Sequence, residues 1–352
     1  MIIAFFISSL KNRAGIERMT IDLANLLSAH HQIYIVSLAE IYTNSIPFTL
    51  NKDVTLISLN HEFSWFNVKL ISRVRKLVKN IKPDIIVSDA VHIVSITAPA
   101  LIGLGIPNIS WEHFNMKAAS RIGFIWRLVA PWLVSKTVVL THADEKEYKS
   151  HLAPNITTIY NFTNIGNQQL TSNCENKIMI AVGRHEQQKG FDLLIRAWAK
   201  AETLDWKLKI VGSGSKYNEN IELAKVLNVK DSIEFIPNTD CIEKEYIDSS
   251  CFVLSSRFEG LVLALIEAKM MGLPSICFDC PYSPKEVIEN GIDGWLVESE
   301  NVDSLSQKIS EVIINPLQLR NMGHMAKQDA EKRFSKNSAL KQWEQLFLIL
   351  KK

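Results

Sequence analysis

Short runs of apolar and β-branched residues alternate with stretches of helical periodicity along almost the whole chain. The runs at 2–7, 33–37, 54–58, 85–88, 108–111, 137–140 and 157–159 predict strands. The segments 15–29, 67–80, 93–103, 118–134 and 143–151 between them predict helices. The strand runs are continuous rather than alternating, as in a parallel sheet covered on both faces. A polar segment, 163–176, interrupts the order and reads as a linker. The alternation then restarts, with strands at 177–182, 207–211, 233–236, 251–255 and 274–278 and helices at 191–201, 218–227, 242–249 and 263–271. The pattern predicts an α/β protein with two open parallel sheets, over residues 1–165 and 177–334. Ligands of such sheets bind beyond the carboxyl ends of the strands, so a cleft faced by both sets of ends is the expected place of function.

Composition fits two cores. The chain has 352 residues, of which 47% are hydrophobic and 22% charged, too apolar for disorder. A net charge of +2 lacks the excess of a dedicated nucleic-acid binder, and no nucleic acid is expected as a partner. Five widely spread cysteines suit a reducing, cytoplasmic compartment. Cys277 and Cys280 have no second ligand pair nearby and read as buried thiols. No apolar run approaches the ~20 residues that span a bilayer. The N-terminal run has no basic residue before it and no small-residue cleavage site behind it, so it reads as a first strand. Residues 1–165 carry 16 Lys and Arg against 11 Asp and Glu. The excess gathers at 63–82 and 116–136, where cations alternate with Trp, Phe and Leu. These two segments read either as core helices with solvated basic faces or as a surface resting on anionic lipid headgroups.

The segment 255–284 is richest in chemistry. Glu259 and Gly260 sit on a strand-to-helix loop, and Glu267 follows eight residues after Glu259 in an apolar helix. A loop carboxylate can accept hydrogen bonds from sugar hydroxyls. Glu267, flanked by Leu265, Ile266 and Ala268, is expected to be buried and needs a partner, which a ribose diol would supply. The amides of Gly260, Leu261, Val262 and Leu263 fall at a helix N-terminus, where a phosphate is favoured. On spacing alone, two acids paired with basic residues is the simpler reading. Arg184 and Lys189 flank a glycine-bounded loop, 183–190, and form either a diphosphate clamp or two solvated cations. Gly212 and Gly214 follow a strand, but the third glycine and the later acid of a dinucleotide site are missing. That disfavours an oxidoreductase.

Taken in order, these residues resemble the retaining GT-B glycosyltransferases of family four, the glycosyltransferases group one domain. Ser256, Glu259, Gly260, Glu267, Ala268, Gly272 and Pro274 stand as in that family's Glu-x7-Glu element. The continuation from Cys280 resembles a bacterial branch, with Tyr282 and Ser283 in place of Thr and Gly. Arg184 and Lys189 match its G-R-x4-K-G element. The stretch 12–18 is similar to G-G-x-E-R, with Ala14 for the first glycine and Gly15 kept. The stretch 111–115 matches an E-H-N loop in part, with Phe114 inserted before Asn115.

The resemblance implies a GT-B fold: two Rossmann-like domains facing a central cleft, with the last helix (335–352) packed back on the first. It implies transfer of a hexose or N-acetylhexosamine from a UDP-sugar to a glycan acceptor with retention, in surface polysaccharide assembly. His113, Glu259, Arg184 and Lys189 take catalytic roles by this likeness. Gly15, Gly212, Pro237, Asn238, Gly260, Leu261, Val262, Leu263 and Glu267 join Arg184, Lys189 and Glu259 in holding the donor. Asp89 and Asn161 are weaker acceptor-side candidates. The sequence has no Asp-x-Asp, so no metal and no cofactor are expected. If the basic aromatic segments meet a membrane, the acceptor is lipid-linked and the enzyme peripheral on the cytoplasmic face. The rival classes are an epimerase-like enzyme on a similar fold and a non-catalytic GT-B partner subunit.

Overall fold

The computed structural model describes residues 1–11, 15–41, 48–65, 67–115, 121–166, 170–239 and 241–351. The chain divides into two compact units, residues 1–161 with 336–352, and residues 162–335.

The first unit contains β1 (Ile2–Ile7), β2 (Gln32–Ser37), β3 (Val54–Ser58), β4 (Ile85–Asp89), β5 (Asn108–Trp111), β6 (Lys136–Val139) and β7 (Ile156–Thr158). They form one sheet in the order β3-β2-β1-β4-β5-β6-β7, every pair parallel. The connecting helices are α1 (Gly15–Leu27), α2 (Val68–Ile81), α3 (Val91–Leu101), α4 (Arg121–Leu133) and α5 (His142–Ser150). Central β1 explains the continuous apolar run, since Ile3, Ala4, Phe5 and Phe6 are fully buried. Helix α2 shows how local sequence sets an element. The Asn67 side chain accepts the Leu70 N–H, and Lys82 ends the helix in the left-handed conformation. Its buried face is Leu70, Val74 and Val78, one residue per turn. Thr141 caps α5 by accepting the Asp144 N–H.

The second unit contains β8 (Ile178–Val182), β9 (Lys207–Val211), β10 (Ile233–Ile236), β11 (Cys251–Leu254), β12 (Ser275–Phe278) and β13 (Gly294–Val297). Their order, β10-β9-β8-β11-β12-β13, repeats the doubly wound arrangement of the first six strands of the other unit. The helices are α6 (Phe191–Lys200), α7 (Tyr217–Val226), α8 (Ile242–Ile247), α9 (Leu263–Met270), α10 (Ser283–Val287), α11 (Val302–Ile313) and α12 (Pro316–Phe334). Strand order reverses between β1 and β4 in one unit and between β8 and β11 in the other.

The expected linker at 163–176 is a packed part of the second unit where it is described. Ile165 and Cys174 are buried, the Ser172 N–H donates to Met271 O at 2.9 Å, and the Ser172 hydroxyl donates to Ser249 O. Backbone bonds and small side chains hold it, so it has no apolar period to read. The final helix, α13 (Lys336–Leu350), belongs to the first unit, where buried Trp343 meets Trp111 edge-on at 5.1 Å between ring centroids. All five cysteines are free thiols, and only Cys241 is exposed. Among the described residues no helix is long and apolar enough to cross a membrane.

Candidate functional site

In the second unit, chemistry gathers where the loops after β8 and β11 meet at the reversal of strand order. Gly190 takes φ +62°, and a Cβ there would lie 2.1 Å from Ser255 O, so only glycine lets the two loops close. The Ser255 hydroxyl donates to Lys189 O at 3.0 Å, and the Arg257 N–H donates to Gln188 O at 2.8 Å. This lacing brings Lys189 Nζ within 2.6 Å of Glu259 Oε1. The Ser256 hydroxyl donates to the same oxygen at 2.5 Å, and Gln188 Nε2 reaches Oε2 at 3.3 Å. Glu259 is buried, and its charge is met by one cation and two neutral donors. Burial and the nearby Glu259 carboxylate push the Cys280 thiol up to about 12, so it is unreactive at neutral pH.

The loop after β9 closes on the same place. Gly212 has φ +141°, and a Cβ there would lie 1.9 Å from Gly183 O. Its N–H donates to Ile236 O at 2.9 Å, which also ties in the end of β10. Glu186 accepts the Ser215 N–H and hydroxyl at 3.1 and 2.8 Å. His185 is buried, accepts from Asn220 Nδ2 at 2.9 Å, and packs on Phe191 and Tyr217. Both residues hold the loop. Arg184 projects from this framework and is exposed. Pro237 and Asn238 follow β10 and are exposed too.

Glu267 is buried in α9, where the Tyr246 hydroxyl donates to Oε2 at 3.2 Å. Of the four amides expected at this helix start, that of Val262 donates to Ser283 Oγ at 3.1 Å and is already used. Gly260, Leu261 and Leu263 are partly exposed beside it. Ser283, a departure from the family pattern, thus pins α9 to α10.

In the first unit the corresponding strand ends carry Asp89, His113 and Asn161. Asp89 ends β4 and is buried, with Oδ2 2.6 Å from the Thr20 hydroxyl of α1. That hydroxyl also lies 2.9 Å from Ile16 O. One hydroxyl proton cannot serve two acceptors fully. Burial raises the Asp89 carboxyl above its ordinary range, while His113 and the Thr20 hydroxyl oppose that rise. His113 follows β5, with its ring on Trp111 and Nε2 3.7 Å from Asp89 Oδ1. Glu112 accepts from the Ser110 hydroxyl at 2.6 Å and lies 3.8 Å from Arg127 Nε, while burial raises its carboxyl. Asp89 Oδ1, His113 Nε2, Trp111 Nε1, Glu112 Oε2 and Asn161 Oδ1 are buried without a hydrogen-bond partner among the described residues. Gly15 opens α1 in open surroundings. Residues 12–14, the rest of that expected element, lie outside the described residues.

Sequence reasoning missed the supporting residues. Arg257 pairs with Asp192 through two bonds at 2.9 and 2.8 Å and donates to Gln187 O at 2.7 Å, fixing the Lys189 loop. Thr20 and Tyr246 are equally silent, because their partners lie far away in sequence.

Each unit is doubly wound, and in the second a lysine and a buried glutamate meet at the reversal of strand order. The comparisons agree on the class. The sequence model described as Glycosyltransferase Family 4 matches residues 13–166, and that described as Glycosyl transferases group 1 matches residues 164–332. An uncharacterized glycosyltransferase of Haemophilus influenzae is 31% identical over 338 residues, covering 93% of this chain and 95% of its own. A Campylobacter jejuni enzyme, GalNAc-alpha-(1->4)-GalNAc-alpha-(1->3)-diNAcBac-PP-undecaprenol alpha-1,4-N-acetyl-D-galactosaminyltransferase, is 26% identical, covering 90% of this chain and 89% of its own. The crystal structure of Anabaena HepE in complex with UDP superposes with a TM-score of 0.81 at 17% identity, over 98% of this chain and 99% of that one. The chain belongs to the family 4 glycosyltransferases and has their GT-B fold.

Proposed function

We propose that the chain transfers a hexose or N-acetylhexosamine from a UDP-sugar to a hydroxyl of a lipid-linked glycan, with retention and without a metal, in surface polysaccharide assembly. The observation that carries this reading is the contact of Lys189 with Glu259, held by Ser256 and two glycine-dependent loop approaches. Lys189 has three N–H donors, so it can hold Glu259 and a donor phosphate together. Arg184, with its exposed guanidinium, takes the other diphosphate oxygens. The Gly260, Leu261 and Leu263 amides add the field of a helix N-terminus. Glu259 accepts from donor sugar hydroxyls and Glu267 from the ribose, while Pro237, Asn238 and Gly212 border the base. UDP is supported by the HepE complex, and a lipid-linked acceptor by the Campylobacter relative's own substrate.

On the acceptor side, His113 orients the reacting hydroxyl, with Asp89 and Asn161 beside it. The bond from C1 to the diphosphate oxygen breaks as the acceptor oxygen bonds to C1. The acceptor proton passes to the departing phosphate oxygen on the same face. Arg184 and Lys189 stabilise the charge that develops there. We place this reaction in the cytoplasm, at the inner face of the membrane.

The test is calorimetry and nucleotide release with a panel of UDP- and GDP-sugars in the presence of a chelator. We expect one UDP-sugar to bind and to be slowly hydrolysed. Arg184→Ala and Glu267→Ala should each lower its affinity at least tenfold. Failure to bind any nucleotide sugar would overturn the reading and favour a non-catalytic partner subunit.

A further inference from the structure

One surface of the first unit is unused by the donor and acceptor roles above. Helix α4 turns an apolar side to solvent. Ile122, Phe124, Ile125, Val129, Trp132 and Leu133 are all exposed, Trp132 by 65% and Ile125 by 58%. Its one exposed charge is Arg121, at the first residue. A water-facing helix ordinarily carries polar residues at these positions, and a contiguous apolar stripe marks a contact surface.

Helix α2 presents the complement. Its exposed cations Lys69, Arg73, Lys76 and Lys79 recur at spacings of three and four, one above the other along a single face. No acid occurs between Glu62 and Asp84, and none between Glu112 and Asp144. Helix α3 packs against both α2 and α4. Val68, Ile71, Ala98, Ile102, Trp126 and Leu133 line an apolar groove of about 440 Å³ across the three helices. Trp65 stacks on Trp126 beside it, with ring centroids 5.8 Å apart.

We propose that the α2–α3–α4 face docks on an anionic lipid bilayer. The cation row of α2 meets the headgroups, and the apolar stripe of α4 enters the acyl boundary with Trp132 at the interface. The charge pattern selects this occupant. Cations of one sign beside apolar and aromatic side chains, without acids, complement a surface that is anionic above and hydrocarbon below. The inference stands independently of which donor the second unit takes.

The experiment is co-sedimentation of the full chain with vesicles of equal parts phosphatidylglycerol and phosphatidylcholine, beside vesicles of phosphatidylcholine alone. The mixed vesicles should bind at least tenfold more protein, and high salt should reverse most of the gain. Replacing Lys69, Arg73 and Lys76 together by Ser should lower partitioning on the order of a hundredfold, since each cation near such a surface contributes about fivefold. Ile125→Ser with Trp132→Ser should abolish what remains. All the substituted residues are exposed, and unchanged circular dichroism would show that the variants fold. Equal binding to neutral vesicles, or variants that partition like the parent chain, would overturn the proposal. So would light scattering that shows a dimer dissolved by Trp132→Ser, because a second copy would then cover the face.

Discussion

Lys189 and Glu259 lie 2.6 Å apart with only 16% and 7% of their side chains exposed. Removing one partner leaves the other charge buried, which costs about 3 kcal/mol in such settings. Lys189→Met should therefore lower stability to urea by that order and turnover by at least ~100-fold, through loss of leaving-group stabilisation. Glu259→Gln keeps the shape and should cost turnover more than stability. Equal turnover in either variant would remove both residues from the site. The buried histidines give a pH test. Burial lowers His185 and His92 to about 4, below the ordinary 6.5. As pH falls the unfolded chain binds these protons first, so stability is full above pH 6.5 and drains away toward about 4. Each histidine should contribute roughly 3 kcal/mol to that loss. Urea titrations across the range would show it, and His185→Gln should flatten the slope for the second unit alone. The position of Glu259 and Gly260 between a strand and a helix was legible, because one short segment carries it. Arg257, Thr20 and Tyr246 were not, because each finds its partner only after the sheet has formed.

Helix α9 carries Glu267 toward Tyr246 and, two residues on, sends Lys269 toward a different set of partners. Lys269 Nζ is fully buried and contacts Asp293 at 2.7 Å, Asp329 at 2.6 Å and Val287 O at 2.6 Å. Arg333 joins Asp329 and donates to Glu286 O and Val287 O, so α9, α10 and α12 are tied by one charged cluster. Burying these ions is costly, and what the cluster provides is a fixed orientation for the helix that bears Glu267. Lys269→Met strands Asp293 in the core and should cost about 3–5 kcal/mol, read by urea unfolding. UDP affinity should fall with it, because the Glu267 helix loses its anchor. Unchanged affinity in a destabilised variant would limit the cluster to stability. Most elements up to β12 were legible within one or two residues, since continuous apolar runs between helical segments have few other foldings; residues 118–120 of the helix expected at 118–134 lie outside the described residues. The Lys269 cluster was invisible to that reading. A lysine in an apolar helix has no meaning until Asp293 and Asp329 are brought beside it.

At the scale of the whole chain, one strand order serves twice, and the polypeptide returns at the end to the unit where it began. The repetition was legible from alternation alone. The return of α13 was not. It came from family resemblance, because the apolar face of a terminal helix does not say which core it covers. The segment from residue 162 packs with the second unit, where backbone bonds rather than side-chain periodicity hold it. Trp343 makes the return testable. It is 1% exposed and packs on Trp111, next to Glu112 and His113. Truncating a buried Trp to Ala typically costs about 3–5 kcal/mol. In Trp343→Ala, hydrogen exchange should quicken in β1, β4 and β5 and stay unchanged in β8, β9 and β11. Lys269→Met should give the opposite pattern. The His113 loop rests on the Trp111 end of β5, so Trp343→Ala should also lower turnover while leaving UDP affinity intact. Equal loss of protection in both units would mean that α13 supports the whole chain rather than the first unit's core.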